Sequence, residues 1–396
     1  MTSATAPTRR SDHPGAEAGL KALTETVRRH AADCDEHATF PREALAGMRS
    51  SGLLGLLVPT SHGGMGGSLS DMLDISALLA RDCLSTAMIF TMHCQQVAAV
   101  RDHAAPALRD RLLPRIAAGE VYLASVTTGA TTGGHLLTSD PALHRAGDHL
   151  VLDRAAPVVT GGRYANAFLI TTQAPDAKSP HEVSLVYAER GRLEAEVTGE
   201  WNSLGMRATD SVPMRLRGSV PTDHVIGGHG NFRHVTVTTF APLAHLGWAA
   251  CWLGTATGAL SRTVGWLRSP AERKRRDLSG ELLLTRLSKA RQRLETVHAL
   301  LRHATQVYTD GVREVSTPSV QSLLNTVKIT ASEQCLAAVD DLVELAGLAQ
   351  GYLRGTPLAL ERALRDLRSA SLNYSNDRLH TANGALTLQD RTVRFA

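Results

Sequence analysis

The chain has 396 residues, 43% of them hydrophobic and 20% charged, enough to bury a substantial core in two or three domains. A formal charge of +4 over nearly balanced acids and bases gives no global field that would argue for nucleic acid. Five scattered cysteines (Cys34, Cys83, Cys94, Cys251 and Cys335) with no C-x-x-C spacing suggest neither a disulfide framework nor a zinc site, and a reducing cytoplasm is the expected location.

In chain order, residues 1–15 are Thr/Ala/Ser/Arg-rich without an apolar leader core and are expected to form a tail. No apolar run reaches the roughly 18 residues that span a bilayer. Residues 16–120 carry helical periodicity: Leu20, Leu23, Val27 and Ala31 recur at three- and four-residue steps, and Ala44, Met48, Leu53 and Leu54 continue them. The run Val58-Pro59 to Gly67 interrupts this helical domain with a dense glycine loop. Residues 121–230 change to short β-like runs at Val121–Ala124, His149–Leu152, Ala167–Thr172 and Val183–Tyr187, separated by Gly, Asp and Pro turns as in a small sheet or barrel. Residues 231–396 return to long helical periods, about 241–267, 278–309, 319–346 and 358–387, as in a four-helix bundle, with Pro270 and Pro318 between segments. The expected fold is mainly α with a central β domain.

Several chemistries are missing from the pattern. No G-x-G-x-x-G follows an expected strand, so a Rossmann nicotinamide site is not supported. There is neither an H-E-x-x-H nor a G-x-S-x-G, so no metal site and no nucleophile elbow is expected. His93 and His245 lie in apolar helical surroundings, where a histidine is usually a satisfied core residue but can also line a pocket.

Five segments recur in one order that points to a family. They are Gly63-Gly64-Met65-Gly66, the hydroxyl-rich run Ala124 to Gly134, Pro157-Val158-Val159-Thr160-Gly161-Gly162, Trp201 to Ser211 with Val220-Pro221, and Arg365-Asp366-Leu367-Arg368. From about Leu20 to Gln389 the chain resembles the acyl-CoA dehydrogenase superfamily, whose order is helical domain, β-barrel-like domain, four-helix bundle. The resemblance implies one FAD per chain, with FMN or reduced flavin as the variants for an oxygenase. It implies Ser125, Thr127, Thr128, Gly133, Val158 and Thr160 around the flavin ring, and Asn376 and Arg378 toward its adenosine end. His93 and Asn373 would border the substrate, which coenzyme A or a carrier protein could present. A homodimer or homotetramer is implied, with a flavin reductase or another electron acceptor as partner. The basic run Arg268, Arg273, Lys274, Arg275 and Arg276 falls where the family reaches a neighbour's flavin, without reproducing its pattern, so phosphate binding and a solvated charge run both stand.

The sequence departs from the family at the catalytic base. A glutamate normally follows the Arg-Asp-x-Arg segment in a turn, and here counting places Tyr374 at that station, among Asn373, Ser375 and Asn376. The family's second station, on the first bundle helix, falls near Ala244 and His245 and also lacks a carboxylate. A tyrosine would need a shift of roughly three units, about 4 kcal/mol, to act as a base at neutral pH. Tyr374, Asp377 and His245 are the catalytic candidates. Three functions follow from the resemblance: oxidation of an acyl thioester or related metabolite with a displaced base, oxygen transfer by reduced flavin and O2, and a non-catalytic acyl-binding role.

Overall fold

The computed structural model describes residues 14–129, 136–139, 142–311, 314–390 and 392–396. The N-terminal part is helical: α1 (Pro14–Glu36), α2 (Arg42–Ser50), α3 (Leu69–Ala80), α4 (Leu84–His103) and α5 (Pro106–Ala117). Ser68 and Asp71 start α3 with a reciprocal capping box that satisfies two otherwise unpaired amides. Helix α4 is buried on nearly every side, which is why it is apolar all round rather than striped. The glycine loop folds as one 3-10 turn, Thr60–His62, followed by a chain reversal. Gly64 is required there, because a Cβ would overlap the Val58 backbone.

The central domain holds two four-stranded sheets. Strands β1 (Leu123–Val126), β2 (His144–Ala146), β3 (His149–Val159) and β4 (Ala167–Gln173) are followed by β5 (Val183–Glu189), β6 (Leu193–Val197), β7 (Val212–Pro221) and β8 (Val225–Ile226). One sheet runs β1-β4-β5-β8 and the other β2-β3-β7-β6. The β1 pairing with β4 is parallel, Leu123 opposite Ala167, while β3 and β7 pair antiparallel over most of their length. Their register shifts between Ala156 and Val159, and Pro157, which cannot donate to the ladder, sits in that irregularity. Arg154, 4% exposed, anchors the region by donating to the Thr171, Ala155 and Thr128 carbonyls. Sequence periodicity did not single out β6 and β7, although both alternate in burial along their length.

The C-terminal part comprises α6 (Phe232–Val235), a π turn at Thr236–Phe240, α7 (Ala241–Leu267), α8 (Pro270–Arg275), α9 (Glu281–Asp310), α10 (Pro318–Gly347), α11 (Leu360–Arg368) and α12 (Asn376–Gln389). Pro242 cannot donate to the carbonyl four residues back, Thr238, and the Tyr308 hydroxyl takes that acceptor instead at 2.9 Å. The expected helical span 358–387 is split by a turn between α11 and α12. Among the described residues no helix is long and apolar enough to cross a membrane.

One junction joins all three parts. Asp366 on α11, 5% exposed, accepts from the Met206 amide at 2.6 Å, and Arg365 binds both oxygens of Asp35 at the end of α1. Arg207 in turn donates to the Asp35 and Glu36 carbonyls. Gly205 passes so close to the Arg365 backbone that any Cβ would overlap it. The two motifs that carry the resemblance most strongly are therefore in direct contact.

Candidate active site

On the β side, the bulge turns the end of β3 toward the end of β1. The Thr128 hydroxyl donates to the Val158 carbonyl at 2.9 Å, which places residues 125–128 beside 158–160. Ser125 and Thr127 share a 3.4 Å hydroxyl contact, and Thr160 bonds Ser211 at 3.0 Å. Ser211 continues to Thr209 at 2.8 Å, and Thr209 to the Met206 carbonyl at 2.8 Å. This hydroxyl chain ends at Met206, the residue whose amide Asp366 holds, so it is tied directly to α11.

On the bundle side, α7 presents His245, Trp248 and Trp252, spaced so that they share one helix face. Ring centroids lie 6.2 Å apart for His245 and Trp248 and 6.4 Å apart for Trp248 and Trp252. Tyr374 in the α11–α12 turn stands 6.4 Å from His245. His245 Nδ1, Trp248 Nε1 and Trp252 Nε1 are buried without a hydrogen-bond partner. Such orphaned donors and acceptors are uncommon in a folded interior and mark a place where a bound group can complete the bonding.

The electrostatics of the two candidate stations run in opposite directions to one end. Burial pushes His245 down to about 3, with Lys328 adding to the effect and the Leu324 carbonyl opposing it. Burial raises the Tyr374 phenol above its ordinary value, with Arg378 opposing. Both groups are uncharged at neutral pH. Tyr374 also has φ +52, a left-handed backbone that costs a non-glycine residue on the order of 1 kcal/mol and must be imposed by its surroundings. Lys328, fully buried on α10, meets this backbone: Nζ donates to the Tyr374 carbonyl at 3.0 Å and to Asn376 Oδ1 at 2.7 Å, and lies 5.6 Å from the Trp252 ring centroid.

The expected site residues divide accordingly. Ser125, Thr127, Thr128, Val158 and Thr160 come together, although the Thr128 hydroxyl is already committed to Val158. Gly133 lies outside the described residues. His245 and Tyr374 come together, and Asn373 and Arg378 flank the turn half-buried. His93 is a correction: its Nε2 meets the Leu54 carbonyl at 2.9 Å and its Nδ1 accepts from the Leu123 amide at 3.1 Å, so neither nitrogen is left for a substrate. Asn376 is another, since its amide is consumed by Lys328, Ser332 and Glu333 and cannot reach for an adenosine. Asp377 is exposed on the first turn of α12, outside the His245–Tyr374 group that a displaced base would have to join. In the basic run, Arg275 and Arg276 are spent on Glu272, and Arg276 also covers the Trp266 ring at 4.7 Å.

Sequence reasoning missed Lys328, Trp248, Trp252 and Ser211 as site residues. A signal existed for the first: Lys328 is the one charged residue between Pro318 and Ser332 in an otherwise uncharged helical stretch. Two surface clefts of about 390 and 510 Å³ lie apart from this group, one around Leu323 and Phe395, the other around Phe40 and Tyr164.

Comparison with known proteins agrees with this architecture. Residues 17–120 match the acyl-CoA dehydrogenase N-terminal domain and residues 236–373 the acyl-CoA dehydrogenase C-terminal domain. A curated relative is the mitochondrial isobutyryl-CoA dehydrogenase of Dictyostelium discoideum, 22% identical over 351 residues that cover 87% of this chain and 81% of that protein. Among solved structures, dibenzothiophene monooxygenase TdsC from Paenibacillus sp. A11-2 superimposes with a TM-score of 0.82 at 20% identity, covering 97% of this chain and 98% of that one. Butyryl-CoA dehydrogenase from Megasphaera elsdenii gives a TM-score of 0.82 at 17% identity, covering 96% and 100%. The chain belongs to the acyl-CoA dehydrogenase family and is a flavin-dependent oxidoreductase.

Proposed function

We propose that the chain is a reduced-flavin, O2-dependent monooxygenase acting on a planar, largely apolar substrate. The observation that carries this reading is that both catalytic stations hold groups kept uncharged by burial, His245 driven down and Tyr374 driven up. A thioester dehydrogenase needs a base that takes a proton from carbon near neutral pH, and neither group is tuned for that. The shared fold with a protein named a dibenzothiophene monooxygenase is compatible with the reading, and so is the shared fold with a dehydrogenase; the uncharged groups at the two stations support the oxygenase.

The donor set fits a flavin. Ser125, Thr127 and Thr160 offer hydroxyls at the adjoining ends of β1 and β3, and Ser211 backs Thr160. These residues would hold the ring by hydrogen bonds to its polar edge. Bound and reduced, the flavin would supply two electrons, so that one atom of O2 enters the substrate and the other leaves as water with two protons. The protein's own groups do the rest. Trp248, Trp252 and the Tyr374 ring wall the site with aromatic surface and exclude water. The neutral Tyr374 hydroxyl can donate a hydrogen bond to an oxygen in transit, and His245 Nδ1 can complete a bond to a polar atom of the substrate. The electrons would come from a separate flavin reductase.

The test uses flavin-loaded protein in two arms. In the first, butyryl-CoA and isobutyryl-CoA are mixed anaerobically with the oxidised form, and no bleaching is expected. In the second, reduced flavin and labelled O2 are supplied with indole, a compound that TdsC has been crystallised with, and one labelled oxygen atom per product molecule is expected. Stoichiometric bleaching by either thioester overturns the oxygenase reading.

A further inference from the structure

We propose that Lys328 is a positioning residue for the reaction, holding the α11–α12 turn through the Tyr374 main-chain carbonyl so that the Tyr374 ring faces His245. The inference rests on the reading that Tyr374 and His245 line the reaction site.

Four observations carry it. Lys328 has no exposed surface, yet sits on a helix that had exposed positions available. Its Nζ makes two directed contacts, one to the turn and one to the first residue of α12: 3.0 Å to the Tyr374 carbonyl and 2.7 Å to Asn376 Oδ1. Asn376 is itself fixed by donating to Ser332 Oγ at 3.0 Å and Glu333 Oε1 at 3.1 Å, so the ammonium and its acceptor are both anchored on α10. Finally, Tyr374 has the left-handed backbone that a bulky residue adopts only when held there. A neutral side chain of the same length would fill the space but could not hold that carbonyl.

The charge on Lys328 is itself within reach of ordinary pH. Burial lowers it to about 8, opposed by Glu333. The titratable and charged groups around it are His245 on α7, Tyr374 in the turn, Glu333 on α10 and Arg378 on α12; His245 and Tyr374 stay neutral near pH 8, because burial moves each away from it. Loss of the proton as pH rises through about 8 weakens the charge-assisted bond to the carbonyl.

The test compares K328M and K328R with the parent as flavin-loaded protein. The first readout needs no turnover: hydrogen exchange of the peptide spanning 369–376, measured at pH 7, should quicken at least tenfold in K328M and stay near the parent rate in K328R, with the 201–211 segment unchanged in both. The second is the rate at which O2 reoxidises the reduced protein. The parent should change rate with a midpoint near pH 8, K328M should show the alkaline rate at every pH, and K328R should lose the midpoint. In a Y374F background, K328M should add less than twofold. Unchanged exchange, a parent-like pH profile in K328M, or a full K328M effect on top of Y374F each overturns the role of Lys328. If instead Y374F and H245F leave reoxidation and oxygen labelling untouched, the reading of the site fails while the exchange data still report on the turn.

Discussion

At the scale of single residues, the neutral pair His245 and Tyr374 has consequences that can be measured. His245 has its folded value depressed to about 3 from an ordinary 6.5, so the unfolded chain binds the extra proton between those values. Stability contributed by keeping the ring neutral is present above 6.5 and is lost as pH falls. At pH 5 the loss from this group is about 2 kcal/mol, and H245L should therefore show a flatter decline in Tm between pH 7 and pH 5 than the parent. On the flavin side, Thr160→Val removes the hydroxyl paired with Ser211 and should shift the visible flavin spectrum, whereas Ser319→Ala, on α10, should not. An unshifted spectrum in T160V would take Thr160 out of the cofactor site. His93 shows why the residue scale was only partly legible. A histidine in an apolar helix reads the same in sequence whether its nitrogens face a ligand or, as here, the Leu54 and Leu123 backbone.

At the scale of elements, periodicity recovered what packing alone dictates. The span 241–267 matches α7 end for end because it is buried along most of its length, and the expected β runs at 167–172 and 183–187 became β4 and β5. The break between α11 and α12 was invisible to periodicity, since residues 369–375 contain neither Gly nor Pro. Only the resemblance placed a turn there, and its Tyr374 carbonyl is held from another helix, by Lys328. Ala359, at the start of α11, is another left-handed residue, φ +48, whose amide donates to the Thr356 carbonyl and whose carbonyl accepts from the Ala363 amide. Ala359→Gly should remove that strain and raise unfolding stability by about 0.5–1 kcal/mol in a denaturant titration, leaving the flavin spectrum as it was.

At the scale of the whole molecule, the junction of Asp35, Met206, Arg365 and Asp366 unites the helical, β and bundle parts. Burial raises Asp366 to about 6, with the Met206 amide and Arg362 opposing. A carboxyl whose folded value exceeds its unfolded 3.8 binds more protons when folded, so its contribution declines as pH rises from about 4 to about 6 and is flat above. Asp366→Asn keeps an acceptor for the Met206 amide without that penalty, and its Tm relative to the parent should be higher at pH 7 than at pH 4. The surface carries another whole-molecule feature: Leu282, Leu388 and Phe395 are 66%, 86% and 87% exposed. With the family resemblance they support the expectation that the chain assembles with further copies of itself. Light scattering at micromolar concentration should give at least twice the chain mass of 42.3 kDa. A monomer would contradict it.

The grip of Lys328 on a main-chain carbonyl makes position 374 a socket. The shape of the turn is set by an atom that every amino acid possesses, so the side chain plugged in there can be exchanged without redrawing the scaffold around it. Substitutions at 374 other than proline and the β-branched residues, which do not fit φ +52, should consequently fold alike and differ in chemistry. Within that set Tyr374→Glu, which returns a carboxylate to the station, is the one expected to divert reducing power from product into hydrogen peroxide. Exchanging the reaction while keeping the fold would, in this chain, be a matter of one residue held by its backbone.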